Sequence, residues 1–458
     1  MKRKIILLVF LIGLTSCDDF LEVGPNKSEL DSELVFKNDN TAIAALEGIY
    51  HELQFNGFAS GNIQSVTFLG NTLADDAIEF AVTNDRYDFY INTLRVDNSS
   101  NNSIWSSAYK QLYNTNALLE GIKENVDLSE TTKNRIKGEA KFLRAFIYYY
   151  LVHLYDEVPL VLTTNYHINK SLPRTTIENV YIQIQKDLED ALIYLPEDYI
   201  HSEGEHIRPT KYAAYTLLAR MALWQDKYDQ SINYASEVID SGKYNLVELD
   251  DVFKANSVES IWQLVPVDPN IGANEGNLFI LENNPNTPNN RSSQSLTEDF
   301  SSIWEAGDLR YQNWIGIYTE GESNYYYPYK YKIKHGGDSE EYSMVIRFAE
   351  LYLIRAEAYA ESGNVQASLD DLNKIRNRAG LPDWTAADVP DIEQAVLDER
   401  RRELFSEWGH RWLDLKRFGV IDEVLGLKKF TWQPHAKLLP IPEQDILRNP
   451  FLTQNPGY

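Results

Sequence analysis

Two segments of this chain, Thr210 to Lys243 (TKYAAYTLLARMALWQDKYDQSINYASEVIDSGK) and Arg347 to Gly380 (RFAELYLIRAEAYAESGNVQASLDDLNKIRNRAG), each run 34 residues with a turn near the middle. In the second, Phe348, Tyr352, Ala356 and Tyr359 recur at helical spacing. Gly363 interrupts the run, and Val365, Leu369, Leu372 and Ile375 begin another. This is the tetratricopeptide period of two helices per repeat, with small residues such as Ala222, Ala358 and Ala367 where helices cross closely. A unit of this kind buries its apolar face only by stacking on a neighbour, so several must be contiguous in space.

Other blocks fit the same scheme. In 139–155 (EAKFLRAFIYYYLVHLY), Leu143, Ile147, Leu151 and Leu154 share one face, flanked by Phe142, Phe146 and Tyr149. "FLRAFIYY" at 142 and "LIRAEAYA" at 353 both place Arg-Ala after an apolar pair. Further pairs are expected around 103–155 and from 41–54 with 177–195. At 43% hydrophobic over 458 residues the chain can bury a large core.

Two stretches break the pattern. Residues 55–102 carry Phe, Tyr, Asn and Asp without a helical period. Residues 245–344 open with the strand-like "SIWQLVPV" at 260, then hold eight Asn between 268 and 290 and nine Trp or Tyr between 304 and 331. Loops this long are usually functional or disordered, and aromatic content argues against disorder, so they are the expected binding surface.

The formal charge is −25. A surface this acidic repels phosphate backbones and anionic headgroups, which leaves neutral or cationic partners and disfavours nucleic acid. No GxSxG, HExxH, Walker A or Rossmann glycine pattern occurs. "HSEGEH" at 201 reads as a solvated turn rather than a metal site. "DPNIGANEGNLF" from Asp268 begins like a calcium loop, but Phe279 stands where a bidentate Glu is required. Adjacent Asp75 and Asp76 diverge on any regular element, whereas glycosidase carboxyls face one bond. The charge-dense "LDERRRELFSEWGHRWLDLKRFG" (397–419) reads as a helix-stabilising ion network, with Glu399, Glu403 and Glu407 at i,i+4 spacing. The expectation is a non-enzyme with no cofactor and no metal. Carbohydrate suits the irregular stretches, because a pyranose stacks its C–H face on Trp, Tyr or Phe while its hydroxyls need Asn, Asp, Arg or Gln.

The N-terminus supplies an address. Lys2, Arg3 and Lys4 precede the apolar run 5–14 (IILLVFLIGL), as in a secretory signal. Ten residues at about 1.5 Å each span roughly 15 Å, half a bilayer's hydrocarbon, so the run is no stable membrane helix. Cys17, the single cysteine, follows Leu14, Thr15 and Ser16 in an arrangement that resembles a bacterial lipobox. That resemblance implies cleavage after residue 16 and a lipidated Cys17 with a diacylglyceryl thioether and an N-acyl chain, an anchor needing no transmembrane helix. Cleavage removes three basic residues and no acidic one, giving −28 for the mature chain. Asp18 and Asp19 resemble a surface-export signal of Bacteroidetes.

"GEAKFLRAFIYYYLVHLYDEVPLV" (138–161), "RPTKYAAYTLLARMALWQDKYDQSINYASEVIDSGKY" (208–244), "RFAELYLIRAEAYAESGN" (347–364), "ERRRELFSEWGHRWLDLKRFG" (399–419) and "LLPIPEQDILRNPFLTQNPGY" (438–458) closely resemble the SusD/RagB family of Bacteroidetes outer-membrane lipoproteins. The resemblance implies an all-α, tetratricopeptide-like scaffold with a loop-rich insertion face and minor short strands. It implies a signal peptide at 1–16, a lipidated tether at 17–40 and a single domain at 41–458. It also implies a surface glycan-binding lipoprotein of the outer membrane that delivers oligosaccharide to a SusC-like TonB-dependent transporter. The alternatives are a protein adaptor of tetratricopeptide type, or a lipoprotein for peptide or another nutrient. From chemistry and location, the ligand residues are expected to be Asp75, Arg86, Tyr87 and Tyr90 in the first stretch. In the second they are Asn274, Asn277, Phe279 and Arg291.

Overall fold

The computed structural model describes residues 34–458 except 56, 60, 61, 269, 271, 289 and 337–339. Cys17, Asp18, Asp19, the signal segment and most of the tether therefore lie outside the described residues.

The principal helices are α1 (Asp39–Phe55), α2 (Val66–Leu73), α3 (Asp85–Tyr90), α4 (Ser99–Gly121), α5 (Glu130–Tyr155), α6 (Ile177–Tyr194), α7 (Lys211–Leu223), α8 (Tyr228–Ile239), α9 (Asn274–Phe279), α10 (Phe348–Glu361), α11 (Val365–Arg378), α12 (Ile392–Leu404) and α13 (His410–Arg417). Both 34-residue segments fold as helix pairs, α7 with α8 and α10 with α11, and α8 packs on α10 so that the two pairs stack. α5 packs between α4 and α6, and α6 continues onto α7. The expected pairing of 41–54 with 177–195 is replaced: α1 packs on α4 and α5, whereas α6 takes α5 and α7 as its partners.

The arginines of the repeated motif explain how these helices lock. Arg144 on α5 donates from Nε and Nη2 to Asp187 on α6 at 2.7 and 2.7 Å. Arg355 on α10 holds Asp371 on α11 in the same way at 2.7 and 2.8 Å, and its Nη1 donates to Ser236 of α8 at 3.0 Å. Arg220, in the equivalent "LLARMALW" of α7, grips Glu350 of α10 at 2.7 and 2.6 Å. Each is a bidentate, charge-assisted pair between neighbouring helices, with direction as well as strength.

α5 is not one-sided. Every residue from Phe142 to Tyr155 is buried, as expected of a helix apolar all round that sits at the centre of a protein. Phe146 meets Trp262 at 5.1 Å and Trp408 at 5.5 Å, both edge-on, an arrangement aromatic rings favour.

The six strands among the described residues form three antiparallel pairs. β2 (Ser260–Leu264), the expected strand, pairs with β6 (Ser343–Arg347). β1 (Ala77–Glu79) pairs with β3 (Gln294–Leu296), from Ala77 opposite Leu296 to Glu79 opposite Gln294, and joins the two irregular stretches. β4 (Ile315–Glu320) and β5 (Ser323–Pro328) form a hairpin whose two-residue turn has Gly321 at φ 62°, a left-handed position that suits glycine.

The segment 397–419 departs from expectation twice. The helix breaks after Leu404, with Ser406, Trp408 and Gly409 at φ 55°, 46° and 68°, before α13 begins. Its glutamates also bind across the fold rather than along one helix. Arg347 donates to Glu403, Glu259 and Glu407 at 2.5, 3.0 and 2.8 Å, and Arg310 donates to Glu399 and Glu403 at 2.7 and 3.1 Å. These charges are buried, so their pairing is a condition of folding rather than surface decoration.

Candidate functional site

The C-terminal end of α1 presents Gln54 and Phe55 to a cleft of about 270 Å³. Asn62, Ile63 and Gln64 line it from the loop before α2, and Val267, Asp268, Gly272, Asn274 and Arg291 from the second irregular stretch. Phe55 is half exposed, an unusual place for a large apolar ring, and it stacks on His51 at 5.8 Å. Its face and the surrounding amides are the combination a sugar ring requires.

The walls are fixed from behind. Asn274 Nδ2 donates to the Gln54 carbonyl at 2.8 Å, and Gln54 Nε2 donates to Ser343 Oγ at 3.2 Å. That hydroxyl donates to Glu275 at 2.7 Å. Burial pushes the Glu275 carboxyl up to about 7, despite the Ser343 hydrogen bond. At Gly276 a Cβ would stand 2.1 Å from the Ile333 carbonyl oxygen, so α9 can seat here only with glycine at that position.

The expected ligand residues divide among several environments. Asn274 and Arg291 line the cleft. Asn277 is half buried and donates to the Lys334 carbonyl at 3.3 Å. Tyr87 and Tyr90 lie half buried together on α3, 5.6 Å apart, and burial raises the Tyr90 hydroxyl's pKa. Arg86 is buried, its guanidinium 5.5 Å from the Phe68 ring.

Besides Arg86, two more of the expected residues are interior. Phe279 is buried and stacks on Phe68 at 5.9 Å, because α9 turns that position toward α2. Asp75 has a fully buried carboxylate that accepts from Arg411 at 2.7 and 3.1 Å and from Lys428 at 2.7 Å, with Arg401 at 3.2 Å. Burial opposes its charge, but Arg411, Arg401 and Lys428 hold its carboxyl well below the usual range. Asp76 is likewise taken by Arg401. Both positions are committed to packing and are unavailable to a ligand.

Two of the nine aromatic residues at 304–331 are also interior. Trp314 and Tyr331 join Phe253, Phe300 and Phe405 in a second core. Of the partly exposed remainder, Trp304 and Tyr311 pack against that core, and four tyrosines sit on the hairpin, where Tyr318 faces Tyr325 at 6.3 Å and Phe80 meets Tyr325 edge-on at 5.7 Å. "HSEGEH" is a turn, but His206 is half buried and stacks on Tyr199 at 4.0 Å.

Sequence reasoning missed Gln54, Phe55, Asn62, Ile63, Gln64 and Asp268. The available signal was Phe55 at the end of a helical period, followed by Gly57, whose φ of 110° marks a sharp exit. A larger groove, about 630 Å³, lies on the helical repeats between Glu197, Lys211, Tyr212, Tyr215, Glu237 and Asp240. It is acidic, with Glu197, Glu237 and Asp240 against Lys211.

Residues 19–223 match a family model described as "Starch-binding associating with outer membrane", and residues 308–458 match the model of the SusD family. The chain belongs to the SusD/RagB family. Among its SusD relatives, "SusD-like protein P25" of Formosa agariphila is 25% identical, covering 100% of this chain and 99% of that protein. "Starch-binding protein SusD" of Bacteroides thetaiotaomicron is 24% identical, over 99% and 98%. A solved structure described as "Laminarin binding SusD-like protein" has a TM-score of 0.75 and 26% identity, covering 92% of this chain and all of that one. The all-α reading with few short strands, and the SusD resemblance drawn from the motifs, both hold.

Proposed function

We propose that this protein is a non-catalytic, surface glycan-binding lipoprotein that captures oligosaccharide in the Phe55 cleft and hands it to a SusC-like TonB-dependent transporter. The exposed Phe55 ring, set among Asn62, Gln64, Asn274 and Arg291, carries the reading. Starch and laminarin binding named for relatives support the ligand class. Cys17 would hold the protein to the outer membrane, with Asp18 and Asp19 directing it to the outer leaflet. Arg86, Tyr87, Tyr90 and Asn277 remain candidates for the margin of the site.

The test is a binding screen of the lipid-free protein (residues 18–458) against varied glycans and peptides. Retention by at least one polysaccharide, reversed by its soluble oligosaccharide, is expected; silence across all glycans would sink the reading. The acidic groove on the repeats favours a second one, a cationic peptide or protein as ligand, which predicts peptide binding lost on Glu237→Lys and no glycan binding.

A further inference from the structure

Arginines in this protein are almost all neutralised. Every described arginine except Arg86, Arg174, Arg291 and Arg448 has a carboxylate oxygen within 4.0 Å. Arg174 is instead hydrogen-bonded to the Glu157 and Gln454 carbonyls and the Asn455 side chain, and Arg448 sits exposed on a terminal helix. Arg86 and Arg291 remain; Arg291 lines the cleft, and Arg86, buried outside its lining, lies close enough to feel the Arg291 charge.

Arg291 is exposed on the cleft wall and forms no ion pair among the described residues. It immediately precedes the Ser292–Leu296 segment that runs along β1, where the Phe80 amide donates to the Ser293 carbonyl at 2.9 Å. Arg86 lies behind that segment. Its Nε reaches Asn84 Oδ1 at 3.4 Å, while Nη1 is buried with no acceptor. Glu79 is the acid whose field favours the Arg86 charge, but no ion pair forms between them; one Glu79 oxygen accepts from the Ala81 amide and the other is buried without a donor. Lys334 adds a third cation, its Nζ 3.2 Å from Ser292 Oγ and 3.7 Å from Glu282. Across the cleft, Asp268 has one oxygen occupied by the Asn270 amide and side chain, both at 2.9 Å.

Arg291 is exposed and solvated in the free protein, so its N–H donors are open to a ligand, whereas the buried Arg86 Nη1 lacks an acceptor and carries a desolvation cost. Guanidinium matches a planar carboxylate or a sulfate by paired N–H donors, which a neutral hydroxyl cannot do. We infer that the cleft recognises an anionic sugar residue, its carboxylate or sulfate group taken by Arg291 with the Arg86 charge behind it. This rests on the proposed glycan-binding function and names its substrate class. It also revises locally the expectation that an acidic surface admits only neutral or cationic partners, because Arg291 has no carboxylate partner among the described residues, even though Asp268 lines the same cleft.

The experiment uses the detergent-solubilised full-length protein and calorimetric titration with three hexasaccharides: an oligogalacturonate, a sulfated galactan fragment and neutral laminarihexaose. At least tenfold tighter binding of one anionic probe is expected, and which one distinguishes carboxylate from sulfate. Arg291→Gln should remove that preference while leaving the melting temperature within a degree of the parent, and Arg291→Lys should restore part of it. Binding of laminarihexaose at least as tight as that of both anionic probes would overturn the inference and leave the glycan reading standing. A preference that survives Arg291→Gln would also overturn it. Failure of all three, together with silence in the wider glycan screen, would overturn the glycan reading itself.

Discussion

Asp75 and Arg411 are separated by 336 positions, yet they meet through two hydrogen bonds in the interior. The contact ties the strand-side end of α2 to α13, close to the point where Gly70 approaches Gly409. A Cβ on Gly70 would lie 2.7 Å from the Gly409 Cα, so the two backbones touch directly. The first irregular stretch is thus held against the C-terminal third of the chain by both charge and backbone contact.

Replacing Asp75 with Asn leaves Arg411, Arg401 and Lys428 short of one negative charge in a buried site. The expected cost is about 3 kcal/mol of stability, measured by denaturant unfolding. Glycan affinity of the folded fraction should be unchanged, because Asp75 does not line the cleft. A variant as stable as the parent would contradict the interior role.

Glu275 predicts a pH dependence. Its carboxyl titrates near 7 when folded, against an ordinary 4.5, so between those values the folded chain binds a proton that the unfolded chain has released. Stability therefore falls as pH rises through that window and levels off above it. Glu275→Gln should match the parent near pH 4.5 and exceed it at pH 8, by on the order of 2–3 kcal/mol. Thermal melts across pH 4.5 to 8 check this, and a constant difference would refute it.

Phe55→Ala should weaken glycan binding by about 1 kcal/mol, roughly fivefold, through loss of the stacking face. The ring is half exposed, so stability should barely move. Titration calorimetry and a parallel melt separate the two effects.

Cys17→Ser should abolish incorporation of labelled palmitate and shift the protein from the membrane to the soluble fraction. Asp18→Ala with Asp19→Ala should keep the label but lose digestion by protease added to whole cells.

The scaffold was legible because its signals are local. A 34-residue period, a Gly363 break and an Arg-Ala after two apolar residues all fall within one or two helices, and the structure uses Arg144 and Arg355 alike as clamps on the next helix. The cleft is built differently. Asn274 reaches the Gln54 carbonyl across 220 positions, and no periodicity records such a meeting. Asp75 and Phe279 show the same limit from the other side: an aspartate and a phenylalanine in irregular sequence look identical whether they face water or the interior. The density of 397–419 did announce an ion network, but its partners Arg310 and Arg347 lie on other elements.

The pairing of β1 with β3 has a consequence for the speed and selectivity of capture. Because that ladder and the Asn274–Gln54 bond already join the two halves of the cleft, the entropy of bringing them together is spent during folding rather than at each encounter. In the proposed glycan-binding role a ligand would meet a cleft whose halves are already joined, and discrimination between sugars would fall to how quickly each one leaves.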